Sequence, residues 1–141
     1  MLLNSGADYN HKNINGITFF DIIISKHNNE TINDIIESIP ESQIQLRENI
    51  ANGIIFYSAA TIGKEDKLEF LLSKSFSPNF NIDENGPYNT PLLIAAVAKN
   101  TKAIKILIEY GADINYVNKS GYSLKRVIRE RNIKSLSNIF Q

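Results

Sequence analysis

Apolar residues in this chain fall in short clusters at helical spacing, separated by turn-forming polar residues. The clearest stretch covers residues 90–115. Leu92, Ala95 and Ala96 share one face of a predicted helix. Small side chains at 95 and 96 let a neighbouring helix approach closely. Thr90 can cap that helix with its hydroxyl. Pro91 suits the first helical position, where its missing N–H would be unpaired anyway. A turn around Lys99 and Asn100 reverses the chain. Ile104, Leu107 and Ile108 then follow at i, i+3, i+4 spacing and mark the inner face of a second helix. Gly111 stands where a left-handed residue ends it, and residues 112–115 lead into an extended loop.

The same outline recurs along the chain. The opening LLNSGADYN matches LIEYGADIN at the Leu/Ile pair, the Gly-Ala-Asp and the Asn. Gly16, Thr18, Phe19 and Phe20 start a predicted helix that runs through Ile23 and Ile24, and Ile32, Ile35 and Ile36 repeat the second-helix spacing. Phe56, Ala59 and Ala60 precede Gly63, and Leu68, Leu71 and Leu72 repeat the spacing again. Residues 123–131 predict a further helix, with Leu136, Ile139 and Phe140 in a short second one. The apolar pairs at 2/3, 35/36, 71/72, 107/108 and 139/140 recur every 32 to 36 residues. That period predicts a solenoid, in which each unit buries its apolar face by stacking on its neighbours. Two intervals are 36 residues. The extra residues fall between Glu41 and Ala51 and between Asn81 and Asn89, and both insertions are expected in loops.

The pattern resembles the ankyrin repeat, G-x-T-P-L-H-x-A-A-x-x-G followed by V-x-x-L-L-x-x-G-A-x-x-N, over essentially the whole chain. Thr90-Pro91-Leu92 with Ala95-Ala96, Gly111 to Asn115, and Gly6-Ala7-Asp8 with Asn10 carry the resemblance. It implies an all-α solenoid of helix-turn-helix units joined by extended or β-hairpin loops. The division it implies is one domain over 1–141. Residues 1–12 end a preceding unit, 13–45, 46–81 and 82–117 are repeats, and 118–141 are a terminal capping unit. A tetratricopeptide array is the alternative fold, but its units lack the G-x-D-x-N loop. Several positions depart from the pattern. Leu93 and Tyr57 replace the usual His, and Phe19 and Ile55 replace Pro. His27 and Lys99 stand at the inter-helix Gly, so those turns are expected to be strained or rebuilt. Ile39-Pro40 replaces Gly-Ala, so the helix ending near 38 must stop by another route. The chain opens in mid-unit with apolar Leu2 and Leu3, which suggests the C-terminal part of a longer array or a fragment of one.

Composition limits the chemistry. With 141 residues and 43% hydrophobic side chains the chain can build one modest core. Fifteen basic residues balance fifteen acidic ones, so net charge gives no argument for nucleic acid or an anionic membrane. The absence of cysteine removes disulfides and thiolate ligands. The longest apolar run, residues 92–98, is far short of the ~20 that span a bilayer. No signal peptide is recognised, so the expectation is a cytoplasmic or otherwise intracellular monomer, with a non-standard secretion route left open. His11 and His27 have no carboxylates at metal-ligand spacing. No nucleophile motif or phosphate loop is present, so no cofactor, metal or catalytic residue is expected. Asp21, at the family's His position, reads as a solvent-facing or hydrogen-bonded helix residue. Lys125, Arg126, Arg129, Arg131 and Lys134 form the one local charge bias. They read as a solvated capping helix or as a dock for an acidic partner or RNA phosphates, without aromatics interleaved at the spacing of a stacking platform.

The resemblance also places an interaction surface, on the hairpin tips and the exposed positions of the inner helices. The tips are Ile14, Asn15 and Ile17, then Tyr88 and Asn89, then Lys119 and Tyr122. The helix positions are Ser25 and Lys26, Thr61 and Ile62, and Val97 and Ala98. The inserted loop at 80–89 adds Phe80 and Ile82. Exposed aromatic and branched residues of this kind act as interface anchors. The function expected is a non-catalytic scaffold that binds another protein through its concave face. The alternative is a targeting or regulatory segment of a larger enzyme, effector or channel. The family's G-A-D-x-N tail can also be hydroxylated, which makes Asn10 and Asn115 candidates, although a loop-holding role accounts for both.

Overall fold

The computed structural model describes residues 18–83 and 85–136. Residues 1–17 and 137–141 carry the expected N-terminal unit end, Ile14, Asn15, Ile17, His11, Ile139 and Phe140, which therefore lie outside the described residues. The described chain is helical: α1 (Phe19–Lys26), α2 (Asn29–Glu37), α3 (Ile44–Ala59), α4 (Glu65–Ser73), α5 (Pro91–Val97), α6 (Thr101–Glu109) and α7 (Leu124–Glu130). Short 3-10 turns occupy Glu41–Gln43 and Lys134–Leu136.

Polar caps set most of the helix starts. The Thr18, Thr90 and Ser123 hydroxyls accept the N–H of Asp21, Leu93 and Arg126, and Asn28 and Asn100 cap α2 and α6 with side-chain oxygens. Asp21 Oδ2 also accepts the Thr18 N–H at 3.0 Å, which completes a capping box and accounts for this acid as a structural residue. The helices form two layers. α1, α3, α5 and α7 pack successively in one, α2, α4 and α6 in the other, and α3 and α5 pack on α4 and α6. One apolar cluster runs from Phe20 to Leu136 and includes Ile54, Leu68, Ala95, Ile104, Leu107 and Val127.

Two of the turn departures resolve differently. Lys99 takes the left-handed conformation itself, at φ +56°, where Gly63 has +97° one unit earlier. A side chain in that region carries strain. His27 is extended, at φ −120° and ψ 143°, so the turn between α1 and α2 is rebuilt. Beyond Ser38 the chain passes into Ile39 and Pro40, and α2 stops there.

One expectation is corrected. The insertion between Glu41 and Ala51 is not a loop. After the 3-10 turn at 41–43, α3 is continuous over 16 residues. The unit boundary drawn between 45 and 46 thus falls inside a helix. The equivalents of Thr90 and Pro91 are Ile54 and Ile55, which cannot cap or open a helix, and both are buried in mid-helix. Ile50, Ala51, Ile54 and Ile55 bury one face of α3 in the core, with Leu46 packed against it one turn earlier. Arg47 Nη2 donates to the Ile39 carbonyl at 2.6 Å and ties the early turns to the end of α2. The other insertion, at 81–89, is a loop as expected.

Candidate partner-binding groove

The loop between α4 and α5 is held from within and from the next loop along. Ile82 N–H donates to the Asn89 carbonyl at 2.9 Å and closes its base. Asp83 turns the tip, its carboxylate accepting the Asn85 N–H at 3.0 Å and its carbonyl the Gly86 N–H at 3.1 Å. Asn118 is the external anchor. Its Nδ2 donates to the Pro87 carbonyl at 2.6 Å and to Asn89 Oδ1 at 3.3 Å. Its Oδ1 accepts the Ser120 and Tyr122 N–H groups at 3.0 and 2.9 Å. Asn79 makes a similar tie, donating to the Gly111 carbonyl at 3.0 Å and accepting the Asp113 N–H at 2.9 Å. Tyr116 donates to Asn81 Oδ1 at 2.9 Å.

Held this way, the loop faces the inner helices across a groove of about 430 Å³. Phe56, Tyr57 and Ile94 come from α3 and α5, and Ile82, Asp83 and residues 86–89 from the loop. Tyr57 also stacks on Phe20, with ring centroids 5.6 Å apart, and Phe56 meets Tyr57 edge-on at 5.2 Å. A separate cavity of about 350 Å³ lies between the loops after α4 and α6, lined by residues including Phe80, Asp113 and Tyr116.

Of the residues selected from sequence, the groove gathers Ile82, Tyr88 and Asn89. Asn89 is a correction: it is only 2% exposed, and its side chain accepts from Asn118, so it is not an open hairpin-tip residue. Phe80 lines the other cavity. Ser25 and Lys26 are exposed at the end of α1, Ile62 is exposed just past α3, Val97 is half-buried in the last turn of α5, and Lys119 is exposed. Thr61 is half-buried, its hydroxyl donating to the Tyr57 carbonyl at 2.8 Å. Asn115 is exposed, and its backbone N–H donates to Asp113 Oδ1 at 2.9 Å. Sequence reading missed Phe56, Tyr57 and Ile94. Tyr57 at the family's His position was the available signal.

Two tyrosines outside the basic run, neither interleaved within it, lie against two of its arginines. Tyr88 and Tyr122, from successive loops, meet edge-to-face with centroids 4.9 Å apart. The Arg126 guanidinium lies 4.1 Å from the Tyr122 ring centre and the Arg131 guanidinium 5.9 Å from that of Tyr88. Arg126 is held by Glu130 at 2.9 Å and by the Gly121 carbonyl at 3.0 Å. Arg131, and then the Tyr122 hydroxyl, hold the Tyr88 phenol below the usual tyrosine value. The bond with Tyr88 raises that of Tyr122. Tyr88 should therefore ionise first as pH rises, and Arg131→Gln should delay it. Carbon-13 NMR of the labelled phenol Cζ reads both. Reversed order, or no effect of Arg131→Gln, contradicts the arrangement.

Among the described residues no group of three or more His, Cys, Asp or Glu is placed to hold a metal ion. Nor, among them, is any helix long and apolar enough to cross a membrane.

Comparison with known proteins agrees with this architecture. A profile of ankyrin repeats in three copies matches residues 22–118. Alpha-latrotoxin-Lg1a of Latrodectus geometricus is 29% identical over 141 residues, covering 99% of this chain and 10% of the toxin. Notch-regulated ankyrin repeat-containing protein, from Homo sapiens and from Mus musculus, is 33% identical over 70 residues, covering 49% of this chain and 61% of the relative. The chain thus spans about a tenth of one relative and about three-fifths of the others.

Proposed function

The chain belongs to the ankyrin repeat family, whose repeats generally mediate protein–protein interaction, and from that membership we propose a non-catalytic scaffold that binds another protein through the groove beside the 82–89 loop. The carrying observation is the groove itself, where Phe56, Tyr57, Ile82, Tyr88 and Ile94 present apolar surface to a space of about 430 Å³. A pocket of this kind takes a buried side-chain anchor from a partner, and such anchors dominate interface energetics. Ser25, Lys26, Thr61, Ile62 and Val97 would extend the contact along the inner helices, and Lys119 and Tyr122 along the last loop. A specific partner would bury roughly 1,200–2,000 Å² in total.

The test begins with partners captured on the immobilised chain and then measures Kd. Tyr88→Ala with Ile82→Ala should weaken binding at least tenfold, with the helical circular dichroism unchanged. Ile44→Ala, exposed at the start of α3 and outside both the groove and the proposed contact, should change it less than threefold. Equal effects of the two sets would refute the groove as the site.

A second reading, a targeting or regulatory segment of a larger protein, is favoured by the toxin match, which sets nearly this whole chain against one tenth of a longer polypeptide. The full reading frame decides that question, and the groove keeps the same role under either reading.

A further inference from the structure

We infer that the segment this groove takes is acidic, an extended stretch of a protein in which Asp and Glu flank one large apolar side chain. The inference rests on the groove as the binding site and adds the chemistry of the occupant. Residues 125–134 carry five basic side chains against one acid, Glu130, a local charge of +4 in a chain that sums to zero. Two of those cations adjoin the groove. Tyr88 lines it, and the Arg131 guanidinium sits 5.9 Å from the Tyr88 ring centre. Arg126 stacks at 4.1 Å on Tyr122, which packs against Tyr88. The stacking holds both guanidiniums in place before a partner arrives, which lowers the ordering cost of a charge-assisted contact. Apolar surface and fixed cations within one side chain of each other match a ligand with an apolar anchor and carboxylates beside it. A carboxylate also fits better than a nucleic-acid backbone here. Asp83, on the loop side of the same groove, opposes anions there; a peptide can set its carboxylates toward Arg126 and Arg131 and an uncharged residue at Asp83, which a continuous run of phosphates cannot.

The test is selection of a random dodecapeptide library on the immobilised chain. Enriched peptides should place at least three Asp or Glu around one Leu, Ile, Phe or Tyr. Arg126→Gln with Arg131→Gln should weaken their binding at least tenfold, as should Tyr88→Ala alone, and raising salt from about 50 to 300 mM should weaken it further. Circular dichroism and thermal melting confirm that each variant is folded. Arg131→Gln alone, at an exposed position, serves if the pair is not. Enrichment of neutral or basic peptides that depend on Tyr88 overturns the acidic occupant and leaves the groove standing. No enrichment, or enrichment indifferent to Tyr88→Ala, overturns the groove and the inference with it. Binding of a twelve-nucleotide oligouridine as tight as that of the best peptide, and lost with the two arginines, overturns the inference in favour of RNA.

Discussion

Gly53→Ala should destabilise the chain by about 1–3 kcal/mol, although in most helices it would stabilise. Alanine gains about 1 kcal/mol over glycine from helix propensity. At this position a Cβ would lie 2.1 Å from Phe20 Cζ and 2.2 Å from its Cε1, which no relaxed contact allows. Phe20 is 2% exposed and stacked on Tyr57, so its ring has nowhere to retreat without disturbing the seam between α1 and α3. Overpacking of this kind typically costs 1–3 kcal/mol. The decisive comparison is the same substitution in a Phe20→Ala background. With the ring gone, Gly53→Ala should change sign and stabilise by up to about 1 kcal/mol. Urea unfolding of the four proteins gives the coupling directly. The same sign in both backgrounds would mean that the close approach is not what holds glycine at 53.

Asn118→Ala should cost about 3 kcal/mol and loosen the wall of the groove. The side chain is 6% exposed and serves two donors and two acceptors, on both loops. Removing it deprives the N–H groups of Ser120 and Tyr122 and the oxygens of Pro87 and Asn89 of this partner; a group left unsatisfied in the interior costs about 1–3 kcal/mol, while those of the exposed Ser120 and Pro87 rehydrate more readily. Partial hydration of the freed loop brings the total below the simple sum. Asn118→Asp separates the two jobs. The carboxylate still accepts from Ser120 and Tyr122, but it has no N–H for Pro87 and sets a negative charge against that carbonyl. Amide exchange at Ile82 and Gly86 should therefore rise in both variants, and at Ser120 and Tyr122 mainly in the alanine variant. A loss under about 0.5 kcal/mol with unchanged exchange would show that the loop holds itself.

The α5–α6 unit was legible in sequence because each of its boundaries is written in local chemistry. Thr90 and Pro91 start one helix, Asn100 caps the next, and Gly111, at φ +93°, ends it. α3 was read too short because a period longer by three residues was taken as a loop insertion. The contrary signal was present. Ile54 and Ile55 occupy the Thr-Pro place, so nothing there can begin a helix, and Leu46, Ile50 and Ile54 fall four apart. The site was half legible. Exposed-looking Ile82 and Tyr88 could be picked by residue type, but Phe56, Tyr57 and Ile94 join them only because Asn118, some thirty residues beyond the loop, holds it across α3 and α5. Asn89 misled for the same reason, since its amide is engaged by that long-range contact.

The ties between the loops after α4 and α6 run through Asn79, Tyr116 and Asn118, and each needs a particular group on the neighbouring loop. Where the first two units meet, α3 has taken the place of such a loop, and α1 meets α3 through shape: a phenyl ring against a bare backbone. Among the described residues the array therefore has two kinds of joint, and they set different terms for exchanging units with other arrays. A unit grafted at the C-terminal joint would have to bring matching amides on both sides. One grafted at the N-terminal joint would have to bring an aromatic ring to fit against Gly53 and a backbone carbonyl for Arg47.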